Sequence, residues 1–327
     1  MGIRLRHAAL GAVAFNVALV LLTAGLSLQA ELQNPMEGRL FDVNGVGVHA
    51  IGSTRAAAAS AEEGAYDALV LLHGASTSAL DFKDNLLETL SEGARVVALD
   101  RPGHGYSERG SEPGMDHPGR QAEIVLAALA AMDITRPVII GHSWAGSVVL
   151  AAMLAEHDAV DPVAGVLIAG VTHPYEREHS APTRLALAPY TGLIFRWQYL
   201  APIGRMALEP TVERVLAPDE VPDGYVESTG LYLSLRPETF YHNAKDRSAL
   251  SGHLIEQAAR YDDIDVPLLS IAATEDHVVP PADHHRRLLE DYPGTVPVEI
   301  AGAGHSPHHT RTGDVVDAIE SFLEQLR

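Results

Sequence analysis

The sequence predicts a doubly wound α/β protein, in which helices cover a mostly parallel sheet of eight strands. Three observations predict this class. Short runs that are apolar throughout recur along the chain, as strands buried on both faces of a parallel sheet require. Helical patterns lie between most of these runs, and such alternation is typical of parallel sheets. The alternation stops over residues 173–262, which predicts a helical insertion into the α/β body.

The N-terminus predicts a hydrophobic membrane anchor over residues 1–30. Arg4 and Arg6 precede an uncharged run from Ala8 to about Leu28, which as a helix would span ~31 Å, close to the ~30 Å hydrocarbon core of a bilayer. A cleaved secretory signal is the alternative, although its apolar region would be shorter and the leucine of the triplet LQA makes a poor cleavage site. A buried helix of a soluble protein is a third interpretation. Under the first two, the body lies on the extracytoplasmic side, anchored or exported, because the two arginines stay in the cytoplasm.

The first two strands form a hairpin over residues 39–52, with Asn44-Gly45 as its turn. Residues 56–65 read as a loop tip or a weak helix. Six continuous apolar strands follow, at residues 68–74, 95–100, 137–143, 163–170, 266–276 and 296–305. Helical patterns are found at residues 82–90, 119–131, 144–157, 283–291 and 313–326.

The insertion at 173–262 divides the body into residues 39–172 and 263–327. It has many prolines, no clear strand and ten of the 18 aromatic residues of the chain. Two interpretations stay open for these aromatics, since they could line a substrate pocket or simply pack a small insertion. They are Tyr175, Tyr190, Phe195, Trp197, Tyr199, Tyr225, Tyr232, Phe240, Tyr241 and Tyr261.

Composition narrows the classes of partner. The 327 residues are 46% hydrophobic and 20% charged, as in a globular protein. The net charge of −20 argues against nucleic acid or anionic lipid as a partner. The absence of cysteine excludes disulfides, iron–sulfur clusters and thiolate zinc sites. The glycine-spaced stretch GVGVHAIG lies in the hairpin with no helix after it, so we expect neither a phosphate loop nor a nucleotide cofactor.

Chemically useful residues follow the strands at their carboxyl ends, where doubly wound sheets bind ligands. The segments 73–76 and 100–105 follow the first two long strands, and Ser143, Asp276 and His305 follow later ones. Each has an ordinary structural explanation by itself, such as a turn glycine or a helix cap. Together at one edge of one sheet they predict an active site.

The residue types suit nucleophilic catalysis. Ser143 would be the nucleophile, His305 would take its proton, and Asp276 would orient the imidazole and stabilise its cation. The backbone N–H groups of Ala75 and Trp144 would bind the developing oxyanion. The small residues around Ser143 fit a tight turn that presents a nucleophile, although a close-packed strand-to-helix turn would also need them.

The sequence resembles the α/β-hydrolase family from about Arg39 to Arg327. The resemblance rests on the stretches LLHGAS, VVALDRPGHGYSER, GHSWAG, ATEDHVVP and GAGHSPHH. It implies the same roles for Ser143, Asp276 and His305, the same oxyanion donors, and a cap domain at 173–262. One departure is Ala145, where many members have glycine; alanine is small enough for the turn. A serine nucleophile also argues against the family's epoxide hydrolases and haloalkane dehalogenases, which need a carboxylate.

Several residues compete for these roles. Glu275 adjoins Asp276, but consecutive residues point in different directions and the family position favours Asp276. The histidine pairs suggest a metal, yet no carboxylate stands at helical ligand spacing beside them, so we predict no metal site. His104 is expected to be structural, and the role of His142 stays open between core packing and substrate contact. The pairs are His284 with His285 and His308 with His309.

The sequence therefore predicts a serine hydrolase that acts on small carboxylic esters of apolar compounds. A cap-bearing aminopeptidase, a carbon–carbon bond hydrolase and a cofactor-free haloperoxidase are alternatives on the same fold. An aminopeptidase would need cap carboxylates to hold the substrate ammonium group. A catalytically silent ligand-binding protein, or a scaffold working through its anchor and acidic surface, are the non-enzymatic alternatives. For the aminopeptidase alternative, the insertion offers four carboxylates: Glu209, Glu213, Glu220 and Glu227.

Overall fold

The computed structural model describes residues 2–52, 66–176 and 178–326, with the first helix's side chains described from Arg6. The segment 56–65 and the Arg4 side chain lie outside this description. The strands are β1 (Arg39–Val43), β2 (Val46–Gly52), β3 (Ala68–Leu72), β4 (Val96–Leu99), β5 (Pro137–His142), β6 (Ala164–Ile168), β7 (Leu268–Ala273) and β8 (Thr295–Ile300).

All eight strands join one sheet in the order β1-β2-β4-β3-β5-β6-β7-β8. The hairpin strands β1 and β2 pair antiparallel, and β2 pairs antiparallel with β4. Every other neighbouring pair is parallel. The predicted mostly parallel eight-stranded sheet is therefore confirmed. Several predicted strands run past their observed ends, because the residues that follow them form the turns that carry the site.

The helices are α1 (Gly2–Gln33), α2 (Glu88–Leu90), α3 (Pro118–Ala131), α4 (Ala145–Met153), α5 (Ala181–Leu187), α6 (Thr191–Ile194), α7 (Ala201–Leu216), α8 (Tyr225–Ser228), α9 (Pro237–Ala258), α10 (His285–Asp291), α11 (Pro307–Thr310) and α12 (Thr312–Gln325). They cover both faces of the sheet. Val70 and Leu72 of β3 point to the face covered by α3 and α4, whereas Leu69 and Leu71 point to the face covered by α12. This alternation, buried on both sides, explains why β3 is apolar at every position.

The helix predicted at 82–90 is less regular than expected. A 3₁₀ turn at Ala79–Phe82 leads into a π-helical turn at Lys83–Leu87, and only Glu88–Leu90 is α-helical. The Asn85 side chain donates to the Asp81 carbonyl four residues earlier, at 2.9 Å, and so competes with the α-helical backbone bond. The predicted helix at 144–157 also ends earlier, at Met153.

The described residues of the insertion, 173–176 and 178–262, contain α5 to α9, short 3₁₀ and π-helical turns and irregular connections, but no strand. It packs on the carboxyl edge of the sheet, with α9 nearest the body. We call residues 173–262 the cap as a label of position only, and their division from the body as a separate domain stays a prediction.

The N-terminal helix α1 docks on this cap. Thr23 and Ala30 are buried against it, and α1 packs on the π-helical turn Phe195–Leu200 and on α7. Most of the preceding part of α1 is exposed. Residues 6–33 form a helix that contains an 18-residue stretch with a mean hydropathy of 2.1. The helix is long and apolar enough to cross a membrane, a test that a signal sequence also passes.

Candidate active site

A sharp turn between β5 and α4 carries Ser143. Its φ is +53°, a left-handed conformation that non-glycine residues rarely adopt. The turn needs small neighbours: a Cβ on Gly141 would lie 2.6 Å from a Val149 methyl, and one on Gly146 would lie 2.7 Å from the Gly170 Cα. The Ser143 carbonyl accepts hydrogen bonds from the Gly146 and Val171 N–H groups, both at 2.9 Å. The strained serine is thus held by its surroundings.

The structure brings Ser143, His305 and Asp276 together. His305 Nε2 lies 2.9 Å from the Ser143 Oγ, and its Nδ1 lies 2.8 Å from the Asp276 Oδ2. All three residues are buried. The arrangement fits a neutral imidazole that donates from Nδ1 to the carboxylate and accepts the serine proton at Nε2.

The two adjacent carboxylates differ sharply in position. Asp276 is buried, and its Oδ1 accepts the Val278 and Val279 N–H groups at 2.7 and 2.8 Å, which fixes the carboxylate for His305. Glu275 is exposed to solvent. Only Asp276 of this pair contacts the imidazole.

The predicted oxyanion residues flank the serine. Trp144 directly follows it and is buried, and the turn after β3 passes close by, because a Cβ on Gly74 would lie 3.0 Å from the Ser143 Cβ. Ala75 is the next residue of that turn and is half-buried. We call residues 73–77 the oxyanion loop. The assignment of its N–H groups to an oxyanion stays a prediction.

Cap helix α9 clamps the oxyanion loop, which the sequence did not indicate. The Asn243 Oδ1 accepts the Ser76 N–H at 2.9 Å, and its Nδ2 donates to the Ser76 Oγ at 2.9 Å. Ser76 has a φ of +65°, so this side chain holds a second left-handed residue beside the site. No motif marks Asn243, since an asparagine within a helical pattern is unremarkable.

One turn further along α9, Asp246 joins the same loop through a buried arginine. The Arg101 side chain donates to the His73 and Gly74 carbonyls, at 2.9 and 3.0 Å, and to the Asp246 carboxylate at 3.2 Å. Its guanidinium also stacks on Trp144, 4.2 Å from the ring centroid. Burial lowers the pKa of Arg101 to about 10, although Asp246 opposes that shift, so the guanidinium is charged at neutral pH.

His142 lies directly behind the catalytic candidates. Its Nε2 donates to the His305 carbonyl at 3.0 Å, so it supports the backbone that carries His305. Burial and the neighbouring histidines hold its pKa well below the usual value, which keeps it neutral. His104 is fully buried near Arg101, and its pKa is likewise well below the ordinary value because of burial, consistent with a structural residue.

Three residues behind the site have ligand atoms close enough together to hold a metal ion. One ligand atom each from Asp81, His308 and His309 lies within 4.8 Å of the others. The Asn85 Nδ2, however, also donates to the His309 Nδ1 at 3.2 Å. This leaves the proton on Nε2, which lies 2.9 Å from the Asp81 Oδ1 and donates to it. The hydrogen bonds therefore favour a structural network here.

The other histidine pair is separate from this network. His285 Nδ1 is bonded to the Ser270 hydroxyl at 2.8 Å, and His284 Nδ1 accepts backbone N–H groups. The cap glutamates considered for an ammonium group all face solvent. The cap aromatics are divided, with Tyr261 in the core and Tyr190 on the surface, so they do not line a single pocket.

A sequence profile described as the Alpha/beta hydrolase family matches residues 69–318. This chain belongs to that family. The match covers the sheet from β3 onward, all three candidate catalytic residues and the whole cap. The chain is thus a hydrolase of the α/β family.

Known relatives of this hydrolase have several activities. An uncharacterised hydrolase of Bacillus subtilis, YugF, is 24% identical over 78% of this chain and 89% of its own length. A non-heme haloperoxidase of Rhodococcus erythropolis is 36% identical, over only 37% of this chain and 43% of its own. Among solved structures, an esterase from Exiguobacterium antarcticum superposes with a TM-score of 0.65 at 15% identity, covering 88% of this chain and all of its own. At that identity the likeness concerns the fold alone.

Proposed function

We propose that this hydrolase cleaves carboxylic esters through an acyl-enzyme on Ser143. A single observation carries the proposal: one imidazole, His305, lies within hydrogen-bond distance of both the serine hydroxyl and a fixed carboxylate, at 2.9 and 2.8 Å. A serine hydroxyl is a poor nucleophile until a base removes its proton, and this geometry provides that base.

The reaction runs in two balanced halves. Ser143 Oγ attacks the ester carbonyl while its proton passes to the His305 Nε2, and Asp276 stabilises the imidazolium. The tetrahedral oxyanion is held by the N–H groups of Ala75 and Trp144. His305 then protonates the leaving alcohol as its bond to the acyl carbon breaks. Water attacks the acyl-enzyme by the same route and releases the acid.

Apolar esters are the proposed substrates. The four candidate glutamates of the cap are exposed, so they do not form a buried ammonium site for an aminopeptidase. The structural neighbour from Exiguobacterium antarcticum shows that this fold carries esterase activity in another protein. The haloperoxidase relative supports a second candidate activity, peroxide-dependent halogenation, which is measured by bromination of an organic acceptor with added hydrogen peroxide.

We further propose that α1 anchors the enzyme in a membrane, with the α/β body on the extracytoplasmic side and residues 173–262 acting as a cap domain. The length, hydropathy and exposure of residues 6–33 support the anchor. Export after cleavage of α1 is the alternative, and N-terminal sequencing of the protein recovered from membranes separates the two. An intact N-terminus supports the anchor.

The test is hydrolysis of a p-nitrophenyl ester series, from acetate to dodecanoate, by the wild type and Ser143→Ala. Turnover that disappears in the variant supports the proposal, and the preferred chain length measures the acyl pocket. Folded wild type that turns over no ester contradicts it. A silent binding protein would bind the esters equally well with and without the hydroxyl.

A further inference from the structure

The outer layer of the cap, residues 181–208, exposes an unusual amount of apolar surface. Among the described residues, eighteen large hydrophobic side chains are exposed, eight of them in α1 and seven in this layer. Tyr190 is 93% exposed and Met206 is 84% exposed. The seven are Leu185, Tyr190, Leu193, Ile194, Tyr199, Ile203 and Met206. Such a concentration of exposed apolar side chains in one segment points to an interaction site, in contrast to apolar residues scattered singly over a surface.

The charges of this segment differ from those of the rest of the chain. Residues 179–208 contain no aspartate or glutamate, although the chain has 43 acidic residues. The charged residues of this stretch are Arg184, which is exposed, Arg205, which is partly buried and bonded to α1, and Arg196, which is buried. Trp197, which is partly buried, lies among its tyrosines. Apolar residues mixed with arginine, tryptophan and tyrosine are the composition of segments that lie in the headgroup region of a membrane. The layer therefore places no acidic side chain of its own against anionic lipid.

The membrane-anchor helix packs on this same layer. The Arg205 guanidinium donates to the Leu26 carbonyl at 3.1 Å and to the Gln29 side chain at 3.2 Å. Thr23 and Ala30, on the same face of α1, are buried there. The exposed apolar residues of α1 and those of residues 181–208 therefore belong to elements that pack against each other.

The length of α1 determines how deep in the bilayer residues 181–208 would lie. Leu19 is the first partly buried residue among the described side chains of α1, so residues 8–18 are the apolar part of the helix that is exposed on every side. As a helix they span about 17 Å, roughly half of the ~30 Å hydrocarbon core. A spanning α1 must therefore continue to about Leu28, and along that stretch the cap lies against it. The cap surface beside these residues would then lie at membrane depth, where apolar side chains are favoured.

We propose that residues 181–208 form a bilayer-docking surface, partly embedded in the membrane that α1 enters, so that esters dissolved in the bilayer are the enzyme's substrate class. This inference rests on the anchoring and the esterase activity proposed above. The occupant is the lipid bilayer, because a second copy of the chain would leave the short exposed part of α1 unable to span.

The absence of cysteine allows a direct test with single-cysteine variants of the full chain. Met206→Cys reports on the layer, and Ile255→Cys, on α9 and 64% exposed, is the matched control outside it. Each is labelled with an environment-sensitive dye and reconstituted in vesicles of equal parts phosphatidylcholine and phosphatidylglycerol containing brominated lipid. We expect the label at 206 to lose most of its emission and the label at 255 to keep it. An unquenched label at 206, or one that self-quenches with a second copy instead, overturns the proposal.

A kinetic comparison separates this proposal from the esterase proposal. The change Met206→Glu should slow hydrolysis of a long-chain ester dissolved in vesicles by several-fold and leave hydrolysis of soluble p-nitrophenyl acetate unchanged, whereas Ile255→Glu should change neither. Equal rates for all three proteins on the vesicle ester contradict docking. If the wild type hydrolyses neither ester, the esterase proposal fails, and the quenching result still decides whether the layer is embedded.

Discussion

At the scale of single residues, the candidate site depends on how firmly one carboxylate is held. Both oxygens of Asp276 are used: Oδ2 faces His305, and Oδ1 accepts two backbone N–H groups. A carboxylate held in this way selects the imidazole tautomer whose Nε2 is free to accept the serine proton. Glu275 next to it is solvated and offers a matched comparison.

The change Asp276→Asn should therefore lower kcat for ester hydrolysis by about 10⁴-fold, because the amide favours the wrong imidazole tautomer. Glu275→Gln should leave kcat within about twofold, as expected for an exposed side chain away from the imidazole. Steady-state kinetics on p-nitrophenyl acetate measure both. A large loss of kcat in Glu275→Gln together with an active Asp276→Asn would show that Glu275, and not Asp276, is the carboxylate that acts with His305.

Single residues were also the part of the site that the sequence predicted best. Ser143, Asp276 and His305 each follow a recognisable apolar strand, and the carboxyl ends of parallel strands meet at one edge. Asn243 and Asp246 could not be predicted, because they come from the insertion, whose packing on the sheet no periodicity encodes. His142 was left open, and the structure shows that it bonds the His305 carbonyl.

At the scale of elements, α9 links the cap to the oxyanion loop. Its Asn243 and Asp246 reach the loop directly and through Arg101. Further along, Ser251 accepts the Tyr175 N–H at 3.0 Å and donates to the Tyr175 carbonyl at 2.6 Å, which clamps a segment remote from the loop. The helix therefore makes two similar pairs of hydrogen bonds, and only the pair from Asn243 holds the oxyanion loop.

Removing the first clamp should impair catalysis more than stability. Asn243→Ala leaves Ser76 free to relax, so we expect kcat to fall by roughly 10- to 100-fold with little change in KM, since the oxyanion donors act mainly in the transition state. Ser251→Ala is the control and should change the melting temperature by a similar amount without this loss of kcat. Equal losses of kcat in the two variants would mean that α9 stabilises the fold as a whole and that Asn243 has no specific effect on the oxyanion loop.

The elements themselves were mostly predictable. The eight strands, the hairpin turn and the long helices follow from apolar runs and turn residues. The irregular helix at 79–90 could not be predicted, because a single hydrogen bond from the Asn85 side chain to the Asp81 carbonyl decides its backbone hydrogen bonding. Its 3₁₀ turn places Asp81, and its π-helical turn places Asn85, against the histidines of α11.

At the scale of the whole molecule, buried neutral histidines link stability to pH. Burial lowers the pKa of His308 and of His284 to about 4, from 6.5. Between these values the unfolded chain binds more protons than the folded one, so acid favours unfolding. Each such residue contributes on the order of 3 kcal/mol that is present above pH 6.5 and lost as the pH falls to 4. His49 acts in the opposite sense: burial lowers its pKa, but the hydrogen bond and charge of Asp100, together with the Glu37 carbonyl, outweigh burial and raise it.

The melting temperature should therefore fall steeply between pH 6.5 and 4, whereas above pH 6.5 the opposite contribution of His49 is lost as the pH rises. The change His308→Asn should reduce the slope of unfolding free energy against pH in that window. The control His179→Asn, at an exposed position of the cap, should leave the slope unchanged. Denaturant unfolding at a series of pH values measures the slope. A melting temperature that is flat down to pH 4 would contradict the account of the buried histidines.

The central claim is that Ser143 is an activated nucleophile, and covalent labelling tests it most directly. The wild type and Ser143→Ala are incubated with a fluorophosphonate, and intact masses are measured, followed by peptide mapping. We predict one adduct per wild-type chain, located on Ser143, and none on the variant. An unlabelled but folded wild type, or an adduct that persists in Ser143→Ala, would contradict the account.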